Sequence, residues 1–127
     1  MSLEFNPKEG LIVVPTRLFG PDGDIVVQLA LDTGATGTLI NWDIAMVIGY
    51  DPAVAKERVQ ITTGSGVEFA PRIRMAKIEA LDKISENFDI ICHTLPPGAT
   101  VDGLLGLDFF RGNIISIDMI KGLLKID

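Results

Sequence analysis

Short runs rich in β-branched and apolar residues recur along the chain, broken by Gly, Pro and Asp, and predict a mostly β protein. Leu11 to Leu18 reads as a strand, with Pro15 pointing to an edge or a bulge. Gly20-Pro21-Asp22-Gly23 is a turn signal, and Ile25 to Leu31 returns to complete a hairpin. Asp32 to Gly37 is a loop of small residues, after which Thr38-Leu39-Ile40 resumes extended structure. Asn41 is placed to cap a short helix over Trp42 to Ile48, ended by Gly49. Asp51-Pro52 opens a further helical turn. Val59 to Thr63 and Val67 to Ala70 flank Gly64-Ser65-Gly66, which predicts a hairpin with a glycine-rich, mobile tip. Ile73 to Ala80 and Phe88 to His93 read as two more strands, and Pro96-Pro97-Gly98 as a loop. Leu107 to Arg111 suits one or two helical turns, and Ile114 to Met119 with Leu123 to Ile126 form a last hairpin around Lys121-Gly122. A strand, a Gly-containing loop, an apolar segment and a short helix follow one another near Asp32 and again near Gly106, a faint two-fold echo in pattern.

Composition narrows this picture. A chain of 127 residues makes one domain with a core of its own, and 47% hydrophobic with 22% charged residues is a globular balance. The reading assigns residues 1–10 to an N-terminal extension and residues 11–127 to the domain. A net charge of −6 makes a poor polyphosphate binder, so no nucleic-acid partner is expected. One Cys and one His do not build a zinc site, and Cys92 reads as a buried, inert thiol. His93 adjoins Cys92, but neighbours on a strand face opposite ways, which disfavours a Cys–His catalytic pair. His93 reads instead as a surface residue at a strand end, and Trp42 as a cap over the core. No apolar run approaches the roughly 18 residues of a membrane span. The first ten residues are polar, carry Glu4, Lys8 and Glu9, and do not resemble a signal peptide. A cytoplasmic protein is expected.

Carboxylates are common in this chain, and most belong at the solvated surface. Asp32 differs in its setting. It follows the largely apolar Ile25 to Leu31 and precedes Thr33, Gly34 and Ala35, so a strand delivers it to the end of a buried element. An acid there, with no cation beside it in sequence, is costly to bury unless it is used or paired. Asp-Thr-Gly also suits a plain turn, and spacing alone weighs the two readings evenly. Gly103 to Gly106 has neither the P-loop Lys nor Gly-x-Gly-x-x-Gly spacing, so it does not read as a nucleotide loop.

Leu29-Ala30-Leu31-Asp32-Thr33-Gly34-Ala35 resembles the active-site motif of the retropepsin-like aspartic proteases. Leu104-Leu105-Gly106 resembles the two-apolar-plus-Gly motif that packs under the catalytic loop in that family, and Gly64-Ser65-Gly66 falls at the flap tip. The tail from Leu104 to Ile126 is similar to the cellular proteases of the DNA-damage-inducible type. The resemblance spans roughly Leu11 to Ile126. It implies an all-β fold with one or two short helices, a closed barrel of the acid-protease type with one lobe per chain. It also implies an aspartic endopeptidase that needs no metal or cofactor.

Aspartate-driven hydrolysis needs two carboxyls sharing one proton around a water, and this chain has a single Asp-Thr-Gly. The resemblance therefore implies a homodimer, with Asp32 from each subunit across a two-fold axis. Thr33 would tie the two loops together, and Gly34 would give the backbone room to approach the substrate. Ala35 lacks the hydroxyl that many two-lobed relatives carry there, so activity is expected to extend toward mildly acidic or neutral pH. The substrate is an extended peptide or protein segment, with Ala30, Ala35, Val101, Leu104 and Leu105 lining apolar pockets. Leu104 and Leu105 serve equally well as plain core. Asp102 stands where relatives often have an apolar wall residue, and either disfavours acidic side chains nearby or points to water. Thr36 and Leu107 replace the Asp and Arg that pair at the dimer base of viral relatives, so the dimer is held differently or more weakly. Leu123 to Ile126 is a candidate interface strand or an ordinary sheet strand. The rival reading is a catalytically inactive peptide-binding or assembly module on the same fold.

Overall fold

The computed structural model describes residues 1–127, the Thr63 side chain apart. Its strands are β1 (Ser2–Glu4), β2 (Val13–Gly20), β3 (Gly23–Leu31), β4 (Leu39–Asn41), β5 (Glu57–Thr63), β6 (Gly66–Ala80), β7 (Lys83–His93), β8 (Gly103–Leu105), β9 (Ile115–Asp118) and β10 (Leu123–Ile126). The helix α1 covers Trp42–Val47, and two single 3-10 turns cover Pro52–Val54 and Leu107–Phe110.

Alternation explains how the strands pack. In β2, Val14, Thr16 and Leu18 are buried while Pro15 and Arg17 are exposed. In β3, Val27 and Leu29 turn inward on the same rhythm. The main sheet runs β2-β3-β8-β4-β7-β6-β5, and β2 also pairs with β6 over Arg17–Phe19. That extra pairing closes six strands into a barrel and leaves β5 outside as the arm of a hairpin. Closure removes most free edges. Pro15, which has no N–H to give, sits on the stretch of β2 that pairs only with β3. The barrel is filled by Val14, Leu18, Leu29, Ile40, Met75, Ile78, Ile90, Leu105 and Phe109, all fully buried.

Three local features differ from the sequence reading. First, Val67–Ala70 and Ile73–Ala80 belong to one 15-residue strand, because Pro71 is paired through Arg58 and does not break it. Second, β7 starts at Lys83, five residues ahead of the expected Phe88, after a tight turn at Leu81-Asp82. Both turn residues have positive φ (53° and 59°), a conformation that Asp tolerates and that Leu rarely adopts. Third, Asn41 ends β4 and precedes α1, but its side chain makes no capping bond. Asp51 does cap its short turn, accepting from the Ala53 amide at 3.0 Å.

The second sheet has order β1-β10-β9. Ser2–Glu4 thus pairs with Leu123–Lys125. Both edges of β10 are occupied within the chain, so among the described residues the open edges of this sheet are those of β1 and β9. Among the described residues no helix is long and apolar enough to cross a membrane.

Candidate active site

Asp32 stands one residue beyond β3. Its amide donates to the Leu105 carbonyl at 3.0 Å, which extends the parallel pairing of β3 with β8 by one step. The chain then reverses, with the Ala35 amide donating to the Asp32 carbonyl at 3.1 Å. The Gly34 amide donates to Asp32 Oδ1 at 2.9 Å. Among the described residues no cation or other side chain bonds the Asp32 carboxylate. It is half-buried, beside exposed Thr33 and Gly34 and half-buried Ala35.

A second loop packs beneath the first. Leu107 donates its amide to the Ala35 carbonyl at 2.9 Å. A Cβ on Gly106 would lie 2.8 Å from the Gly37 carbonyl and 2.9 Å from that of Ala35, so only glycine fits. The buried Thr38 joins the layers. Its Oγ1 accepts from the Gly106 amide at 3.1 Å and donates to Asp108 Oδ1 at 2.7 Å. The Thr38 amide donates to Asp108 Oδ2 at 3.0 Å.

These loops floor a cleft of about 720 Å³. Asp32, Gly34, Ala35, Thr36, Gly37 and Asp108 line the floor, with Leu39, Ile91 and Leu104 from the barrel. Val59 to Thr62 of β5 form the opposite wall, and Arg72 with Asp89 the far end. The roof is thus the β5–β6 hairpin, whose turn falls at Gly64-Ser65 as its glycines predicted.

The expected site residues are not all brought together. Asp32, Gly34, Ala35 and Leu104 meet in the cleft. Ala30 and Leu105 are buried behind it, at 2% and 0% exposure. Val101 is half-buried in the turn ahead of β8. Asp102 neither lines the cleft nor points idly to water, since its Oδ2 accepts from the Gln28 amide at 2.8 Å and continues the β3–β8 pairing. His93 is half-buried and meets Glu68 of β6 at 2.8 Å. Cys92 is fully buried, and that burial pushes its thiol up to about 12, which keeps it from being a nucleophile. Trp42 packs on the core.

Sequence reasoning passed over the β5 wall, the charged far end and Asp108. Alternation in Val59–Thr62 carries a weak signal for the wall. Nothing local marks Asp108 as the partner of Thr38. Among the described residues no cluster of His, Cys, Asp or Glu could hold a metal ion.

A family model described as "gag-polyprotein putative aspartyl protease" matches residues 22–112, which contain the Asp32 loop, the hairpin roof and Gly106. Among solved structures, a retropepsin-like aspartic protease from Rickettsia conorii superposes with a TM-score of 0.72. The two are 20% identical, and the match covers 100% of this chain and 97% of that one. That likeness bears on the fold, and the closed barrel with one short helix agrees with it. No curated protein matches the chain.

Proposed function

The chain belongs to the gag-polyprotein aspartyl protease family, and on that premise we propose that it is an aspartic endopeptidase whose active site is shared by two copies. The observation that carries this reading is the Asp32 carboxylate. It opens into a cleft with a backbone amide as its bonded partner and, among the described residues, no cation to neutralise it. One carboxylate of this kind is half of a proton-sharing pair. The second comes from Asp32 of a partner subunit.

In that arrangement the charged Asp32 takes a proton from a water held between the two carboxyls. The water oxygen bonds to the peptide carbonyl carbon. The protonated counterpart donates to the carbonyl oxygen, stabilising the charge that develops there. Collapse of the tetrahedral diol breaks the C–N bond, and the leaving nitrogen takes up a proton. Gly34 holds Asp32 through its amide, and Thr33, exposed beside it, is placed to bond across the dyad. Ala35 and Leu104 give the cleft apolar walls, while Gly106 lets the lower loop support the upper. The roof closes over an extended peptide, with Gly64, Ser65 and Gly66 at its tip.

The test is cleavage of a peptide library by wild type and by Asp32→Asn, with and without a statine-type transition-state mimic. Cleavage by wild type alone, blocked by the mimic, is the expected result. Cleavage that survives Asp32→Asn overturns the mechanism. Peptides that bind but are never cleaved, from acidic to neutral pH, select the alternative of an inactive peptide-binding module. Sedimentation tests the shared site separately, since a monomer that still cleaves contradicts it.

A further inference from the structure

The far end of the cleft carries charge. Arg72 of β6 pairs with Glu57 of β5 directly opposite it, through Nε at 2.9 Å and Nη2 at 2.6 Å. Arg74 pairs with Asp89 of β7, again directly opposite, through Nε at 3.1 Å and Nη2 at 3.4 Å. Arg72 and Asp89 line the main cleft and also a second hollow of about 300 Å³, which Lys56, Glu57 and Arg74 complete. The two hollows therefore adjoin, with Arg72 and Asp89 between them. Lys56 has no ion-pair partner among the described residues. Three cations face two carboxylates there, an excess of positive charge in a chain of net charge −6. Each guanidinium keeps Nη1 free of these ion pairs, so donors remain for a further acceptor.

Sheet register sets how far this end lies from Leu104, which lines the cleft together with Asp32. Leu104 pairs with Leu39, Leu39 with Ile91, and Ile91 with Arg72. All four line the cleft, so they form one row across it. Three strand spacings of about 4.8 Å make about 14 Å, the length of about four residues of extended peptide.

We propose that Lys56, Arg72 and Arg74 form a distal subsite that selects an acidic side chain about four residues from the scissile bond. The inference rests on the peptide-cleaving reading and names part of its substrate class. A glutamate there meets the unpaired Lys56 and the free edge of Arg72. A lysine meets like charge. The site is open to solvent, so the selection is modest and falls with ionic strength. In a two-fold assembly the same subsite stands at each end of the cleft.

The experiment uses three fluorogenic peptides that differ only in Glu, Gln or Lys around that position. At low salt kcat/KM is expected to favour Glu over Lys by about two- to fivefold. The ratio shrinks on adding salt and inverts in Lys56→Glu. Equal rates for all three peptides, or a Lys preference in wild type, overturn the subsite. Binding of the same peptides to Asp32→Asn, followed by fluorescence anisotropy, separates the two ideas. A protein that cleaves nothing yet binds Glu over Lys loses the protease reading and keeps the subsite. One that binds the three alike, or binds none, loses the subsite.

Discussion

Thr38 and Asp108, 70 residues apart in sequence, form a two-point clasp: hydroxyl to Oδ1 at 2.7 Å and amide to Oδ2 at 3.0 Å. The same hydroxyl accepts from Gly106. The clasp binds the loop that carries Asp32 to the loop beneath it, so the position of the carboxylate depends on a threonine six residues away. Thr38→Val keeps the shape and removes the hydroxyl, leaving the Gly106 amide without its acceptor and Asp108 Oδ1 with the Phe109 amide alone. A loss of about 1–3 kcal/mol is expected. Urea unfolding checks it, as a lower midpoint at unchanged slope.

Gly106→Ala is expected to be worse. Its Cβ meets backbone of Gly37 and Ala35 below 3.0 Å, and backbone cannot swing aside as a side chain can. A cost of about 1–3 kcal/mol or more follows from such overpacking. Gly10→Ala, with nothing within 4 Å of the new Cβ, is the control and should melt within about 0.5 kcal/mol of wild type. Equal melting of the two variants would contradict the packing argument.

Ala35→Ser places a hydroxyl in the Asp32 loop. A hydroxyl that donates to the carboxylate favours its charged form, so the acid limb of the kcat/KM profile should move to lower pH. An unmoved limb in a well-folded, active variant would show that the hydroxyl does not reach the carboxylate.

Asp118, the last residue of β9, accepts from the turn amides of Ile120 and Lys121, both at 2.9 Å. The Lys121 amide, then that of Ile120, holds its carboxyl below the usual carboxylate range. A depressed folded value means stability that is present above the unfolded pKa and lost as pH falls through the folded one. Asp118→Asn should therefore melt below wild type at pH 6. The gap should narrow below about pH 4, where the unfolded aspartate begins to protonate. A gap that is constant with pH would assign the effect to turn geometry alone.

The residues themselves determined much of this protein. The β-branched and apolar runs Leu11 to Leu18 and Ile25 to Leu31, with Gly20-Pro21-Asp22-Gly23 between them, predict the first hairpin, which forms as Val13–Gly20 and Gly23–Leu31. Gly64 and Gly66 mark the hairpin roof, and the Asp32 loop stands out because an apolar strand ends on an acid. The Leu81-Asp82 turn was not legible, since the register of β6 and β7 holds Leu81 in a left-handed conformation that its residue type does not favour. Leu104 and Leu105 show the same limit. Adjacent and alike in sequence, they point to opposite faces, one into the cleft and the other, at 0% exposure, into the core.

What the tertiary structure alone decided is which distant residues share a site. The Thr38–Asp108 clasp, the capture of Asp102 by Gln28, and the row from Leu104 to Arg72 each join segments far apart along the chain. Hydrophobic period and turn chemistry act over a few residues and bear on local form. Barrel closure through β2 and β6 acts over the whole chain, and the cleft beside the barrel carries the Asp32 carboxylate together with a far end where positive charge is in excess.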